Sequence, residues 1–138
     1  MGQLKYWDGS AWQIAGNGAQ GPQGSQGTTG PTGAAGDWTT AQTINAQTGT
    51  TYTVVNSDNG KLVTLSNASA ITVTVNNATA LSAGQRIDFA QLGAGQVTFV
   101  ASAVTINGTT LKSRTQYSAM SLICTASNVY LLVGDLGA

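Results

Sequence analysis

Few side chains in this sequence are equipped for chemistry. Among 138 residues there is no histidine and no glutamate, one cysteine and five aspartates. Catalysis needs a nucleophile with a base, a tuned acid–base pair, or a metal. Cys124, in the run SLICTASN, has no second Cys and no His to work with. A threefold ring of Cys124 from sister chains is conceivable, but its strand-like surroundings favour a buried free thiol. The aspartates are scattered. Asp8 and Asp37 fall in an N-terminal appendage, Asp58 and Asp135 in turns. Asp88 alternates with Ile87 and Phe89, which predicts an outward position beside Arg86, a surface pair worth under about 1 kcal/mol. The run AQLGAGQ has no following helix and so lacks the form of a phosphate loop. No catalytic, cofactor-binding or metal-binding residue is expected, and the chain does not read as an enzyme.

Charge excludes further classes. Only 7% of residues are Asp, Glu, Lys or Arg and the net charge is zero, against about 25% charged residues in ordinary domains. Nucleic-acid surfaces need clustered cations; the nearest approach is the pair Lys112 and Arg114. No apolar run approaches the roughly 18 residues of a membrane span. The opening MGQLKYWDGSAW lacks the apolar stretch of a signal peptide, so no conventional export signal is expected. With a single cysteine, no intrachain disulfide can hold the fold together.

The sharpest pattern is a period of three. Gly18, Gly21, Gly24, Gly27, Gly30, Gly33 and Gly36 recur without a miss, and Pro22 and Pro31 each directly follow a glycine. A collagen triple helix demands this spacing, because only glycine fits where three chains meet at the axis, and proline suits its polyproline-II strands. A flexible linker needs no such phasing. Residues 18–37 are therefore expected to form a collagen-like, triple-helical stem, on the order of 50 Å long at about 3 Å per residue. It is short and poor in proline, so flanking parts must help hold its three strands in register.

Two further segments flank it. Residues 1–17 contain LKYWDGSAWQI, two aromatic-bearing strands around Asp8-Gly9, a hairpin signal. So short a piece cannot bury Tyr6, Trp7 and Trp12 by itself. These three read as an anchoring peg whose partner is either the same segment of sister chains or another protein. Trp38 falls where the stem meets the last segment, either plugging the base of a trimeric head or packing within one chain.

Residues 38–138 are rich in Thr, Val and Ile, which favour strands. Strand candidates span residues 52–55, 61–65, 71–75, 86–91, 96–100, 104–106, 117–124 and 129–133. In ITVTV, Ile71, Val73 and Val75 point one way and Thr72 and Thr74 the other. LGAGQ, residues 92–96, reads as a hairpin connection, and Asn59-Gly60 and Asn107-Gly108 as tight turns. In the last hairpin Leu122 and Cys124 share a face. Tyr130 and Leu132 share one face of the following strand, Leu131 and Val133 the other; a strand apolar on both faces is central or meets another subunit. The expected fold is all-β: an N-terminal peg, a collagen-like stem and a trimeric β-sandwich or jelly-roll-like head of about eight to ten strands.

The order WDGSAW, GPQGSQGTTGPTG, GKLVTLSNASAITVTV, QLGAGQVTF and NVYLLVGDL resembles the collagen-like fibre and minor tail proteins of tailed bacteriophages, especially those infecting actinobacteria. The likeness covers nearly the whole chain and extends to related capsid-decorating fibres. It implies a homotrimer exposed on the surface of a virion, without catalytic residues; the aromatic peg adds the expectation that the N-terminal segment holds it to a capsid or tail protein. The likeness implies no binding residues. A second possibility is a receptor-binding head that adheres to a host cell-wall glycan, with Tyr117 and Tyr130 as candidate aromatics unless they lie in the core. No nucleic acid and no membrane insertion are expected.

Overall fold

A computed structural model of the chain describes residues 2, 4–14, 23–30 and 41–138. The chain divides into two units, Met1–Asp37 and Trp38–Ala138. In the first, strands β1 (Lys5–Trp7) and β2 (Trp12–Ile14) pair antiparallel as the Asp8-Gly9 signal predicted. Gly9 sits at φ +98°, a conformation that side chains rarely adopt. Residues 23–30 carry neither strand nor helix and are exposed.

The second unit is all-β. Its strands are β3 (Ile44–Gln47), β4 (Thr51–Thr53), β5 (Leu62–Leu65), β6 (Ile71–Asn76), β7 (Arg86–Gln91), β8 (Val97–Ser102), β9 (Thr105–Asn107), β10 (Ala119–Ala126) and β11 (Val129–Gly134). They form a six-stranded sheet, β3-β5-β7-β10-β11-β9, and a three-stranded sheet, β4-β6-β8. The first six of these strands alternate between the sheets. β3, β5 and β7 run parallel in one, and β4, β6 and β8 parallel in the other. The chain thus winds in three stacked coils, a solenoid-like arrangement, before β10 and β11 return antiparallel beside β7.

This corrects the jelly-roll expectation. Residues 92–96 are not a hairpin; they carry the chain from β7 in one sheet to β8 in the other. Ile87 and Phe89 therefore meet Val97 and Phe99 across the core, with the Phe89 and Phe99 rings edge to face at 5.0 Å between centroids. The glycines serve stacking of backbones. A Cβ on Gly93 or Gly95 would lie 2.2 Å from the Asn67 carbonyl oxygen or 1.8 Å from that of Ser69. The corner at 92–96 rests on the corner at 66–70 through Gly95 N–H to Asn67 O. Asn67 in turn donates its side-chain amide to Thr48 O in the first coil. Hairpin turns and coil corners draw on the same small residues, so the sequence pattern left the strand partners unspecified.

The core lies between the sheets. Ile71, Val73 and Val75 are buried while Thr72 and Thr74 face away, as their alternation predicted. Leu122, Cys124, Tyr130 and Leu132 are buried from the other side. Each such aliphatic or aromatic side chain contributes about 1.5–3 kcal/mol by leaving water. β3 was not among the expected strands. Its sequence INAQ buries nothing fully, and its Ile44 points outward at 62% exposure. The strand expected from residue 117 begins instead at Ala119, because Tyr117 adopts φ +69° in the preceding turn.

Candidate anchoring and assembly surfaces

The N-terminal hairpin is fixed by its turn. Asp8 Oδ1 accepts from the N–H groups of Ser10 and Ala11 at 2.8 and 2.7 Å, and Oδ2 from Gln13 Nε2 at 2.8 Å. The Ala11 and Ser10 amides, with Gln13 behind them, hold the Asp8 carboxyl below its ordinary value. Trp7 stands directly opposite Trp12, their centroids 5.6 Å apart at 62°. By register Trp7, Trp12 and Ile14 share one face and Tyr6 lies on the other. The three expected anchoring residues therefore divide two and one. Tyr6 is 54%, Trp7 54% and Trp12 66% exposed.

Of the stem residues, Gly24, Gly27 and Gly30 are described. A Cβ built on any of them meets nothing within 4 Å. Among the described residues, then, no neighbour demands glycine at these positions. A triple helix takes three chains, and none is present in this single chain. Gly18, Gly21, Gly33, Gly36, Pro22, Pro31 and Trp38 lie outside the described residues.

In the head, the chemistry-bearing groups are built into the fold. The Cys124 side chain is buried, its Sγ 3.2 Å from the carbonyls of Leu81 and Ala126. Asp58, expected only as a turn residue, is fully buried. Its carboxylate accepts from Tyr52 OH at 2.6 Å, Asn45 Nδ2 at 2.9 Å and Val55 N–H at 3.1 Å. Burial first, and the Asp58 carboxylate second, push the Tyr52 hydroxyl well above the usual tyrosine range. This network ties β3, β4 and the following turn into one coil. No local signal in the sequence announces it, because its members come together only when β3 and β4 enter different sheets.

The two candidate glycan aromatics separate. Tyr130 is buried in the core, and burial raises its hydroxyl's pKa. Tyr117 is 73% exposed on its turn, with its N–H bonded to Gln91 O at 2.8 Å.

The outward faces of the two sheets differ. On the three-stranded sheet Thr51, Thr72 and Thr98 stand in one row, and Thr53, Thr74 and Val100 in the next. On the six-stranded sheet one row runs Ile44, Leu62, Asp88, Ser121, Val133. A second runs Arg86, Ile123, Leu131, Asn107. Asp88 accepts from Ser121 Oγ and from Gln42 Nε2, and lies 3.5 Å from the Arg86 guanidinium. It does face outward beside Arg86, as expected. Two shallow depressions open here. The larger, about 440 Å³, is lined by Gly108, Leu131, Val133 and Leu136, the smaller by Leu62, Ala119, Ser121 and Val133.

No helix among the described residues is long and apolar enough to cross a membrane. Compared with known proteins, the chain matches no family model, no curated protein and no solved structure.

Proposed function

We propose that this chain is a structural, non-catalytic component of a phage particle: a short homotrimeric fibre, held to a capsid or tail protein by its N-terminal hairpin, with the β head projecting. One observation carries the reading. Seven glycines keep a strict period of three, yet a Cβ at Gly24, Gly27 or Gly30 would meet nothing within 4 Å among the described residues. Contact between chains at a triple-helix axis supplies the missing reason for glycine. The exposed Trp7–Trp12 pair supports the anchor, since so large an apolar surface on an isolated two-stranded hairpin gains stability by docking. Light scattering on the full chain tests the stem. The wild type should weigh three chains, and Gly27→Val should weaken the trimer. Deleting residues 1–16 should abolish incorporation into particles and leave the trimer; persistent incorporation would remove the anchoring assignment.

A second reading, adhesion to a host cell-wall glycan, is favoured by Tyr117. A bulky aromatic at φ +69° carries backbone strain of about 1–3 kcal/mol, and such strain concentrates at functional positions. Its ring is also exposed, as a sugar-stacking platform must be. Tyr117→Ala in the full chain should abolish cell binding if this reading holds, and unchanged binding would discard it.

A further inference from the structure

We propose that the outward face of the six-stranded sheet is where three copies of the head meet, each sheet turned toward a common threefold axis. This rests on the homotrimer reading and names the surface that reading leaves open.

The face has the composition of an interface core. Ile44, Leu62, Ile123, Leu131 and Val133 stand on it, with Ala46, Ala90 and Ala119 in the row Ala46, Thr64, Ala90, Ala119. In the single chain Ile44 and Val133 are exposed, and Leu62, Ile123 and Leu131 half-buried. β11 is flanked by β10 and β9 and is buried on its inner side, so nothing within the described head accounts for Leu131 and Val133 on its outer side. The charged pair of this face is already neutralised: Asp88 is satisfied by Ser121, Gln42 and Arg86. Such a pair can be covered with little further electrostatic cost, whereas an unpaired charge could not.

Size and identity of the occupant follow from the same rows. Six strands at about 4.8 Å and some six residues at about 3.3 Å make a plane of about 570 Å², the polar positions Arg86, Asp88, Ser121 and Thr64 included. With its rim it approaches the roughly 800 Å² that each partner gives to a standard interface. The occupant that fits is a second copy of this chain. On the collagen-like reading the chains of the stem run parallel, and only seven residues lie between Gly36 and Ile44. Eight Cα-to-Cα steps reach at most about 30 Å, so chains wound together as proposed could not carry their heads far apart.

The test uses the full chain. Wild type should scatter as three times the 14.0 kDa chain. The double variant Ile123→Glu/Leu131→Glu should fall to one chain mass, its dissociation concentration rising at least about 100-fold, with the strand signal in circular dichroism unchanged. Thr72→Glu/Thr74→Glu, on the other sheet, should stay trimeric. If the glutamates prevent folding, Ile123→Thr/Leu131→Thr keeps strand propensity and should still weaken the trimer. Ala119→Cys and Thr53→Cys, both exposed in one chain, give an independent reading: maleimide should label Ala119→Cys at least about 10-fold more slowly. A trimer lost with Gly27→Val but kept with either double face variant, or equal labelling of the two cysteines, overturns this surface and leaves the stem. A trimer lost with the face variants but kept with Gly27→Val supports this surface and overturns the stem. A monomeric wild type overturns both.

Discussion

The two outward faces of the head are built on the same backbone plan and reach opposite ends of polarity. On the three-stranded sheet, five of the six central outward positions are threonine, at 51, 53, 72, 74 and 98. On the six-stranded sheet, isoleucine, leucine, valine and alanine fill most of the corresponding rows. Strand propensity cannot be the cause, since Thr, Ile and Val all favour strands. What differs is the cost of water. A threonine ladder hydrates without charge; an aliphatic row loses about 25 cal/mol for every Å² it leaves wet. In a chain with 7% charged residues, charge, the usual marker of a solvent face, is sparse: the threonine rows carry none, and the rows of the other face carry only the Arg86–Asp88 pair. The contrast between hydroxyl and aliphatic carbon is then the remaining signal of what each face meets.

That comparison can be broken or sharpened in order of expected effect. The largest change comes from the layer that both faces share. Phe89→Ala removes a ring packed edge to face on Phe99 and should cost about 3–5 kcal/mol in denaturant unfolding. Gly95→Ala forces a Cβ onto the Ser69 carbonyl, and should destabilise by about 2–4 kcal/mol because backbone, not a flexible side chain, must move. Asp58→Ala should cost about 3 kcal/mol, as it removes the fully buried acceptor of the Tyr52, Asn45 and Val55 donors; a loss below about 1 kcal/mol would mean that this network does not tie the first coil. On the polar face, Thr74→Val should shift unfolding by no more than about 0.5 kcal/mol and leave the assembly state untouched. A large change in mass there would erase the distinction between the faces.

The smallest effect is in acid. Ser118 Oγ and the Arg114 guanidinium hold the Asp135 carboxyl below its ordinary value of 3.8. A group whose pKa is depressed by folding stabilises the fold above its unfolded value and loses that contribution as pH falls through the folded one. Titration of the full chain by NMR should find the Asp135 midpoint below 3.8. Asp135→Asn should flatten the slope of stability with pH below that value.

What the sequence made legible was local. The alternation in ITVTV placed Ile71, Val73 and Val75 inside, and Asp8-Gly9 placed the first turn. Leu131 and Val133, apolar on the face away from Tyr130 and Leu132, marked a strand that lies inside its sheet, between β10 and β9, with its outer side left partly exposed. Pairing was not legible. Alternation fixes which face a residue takes but not which strand lies beside it. The corner at 92–96 therefore passed for a hairpin until the stacking of Gly93 and Gly95 on Asn67 and Ser69 was visible. β3 escaped for a related reason. Its inward positions are Asn45 and Gln47, which serve a hydrogen-bond network and not an apolar core. Among candidate functional residues, Tyr117 and Tyr130 looked alike in sequence and parted only in burial.

The position of β10 has a consequence for biosynthesis. It sits between β7 and β11 in the middle of the larger sheet, although it is made after every strand but β11. A ribosome releases the coils first, with β7 still missing a neighbour, and the sheet can close only once the terminal hairpin has emerged. If three chains then join through their heads, and the glycine triplets wind as proposed, they would come into register from that end. Winding would proceed backward along the polypeptide, toward the tryptophans that emerged first.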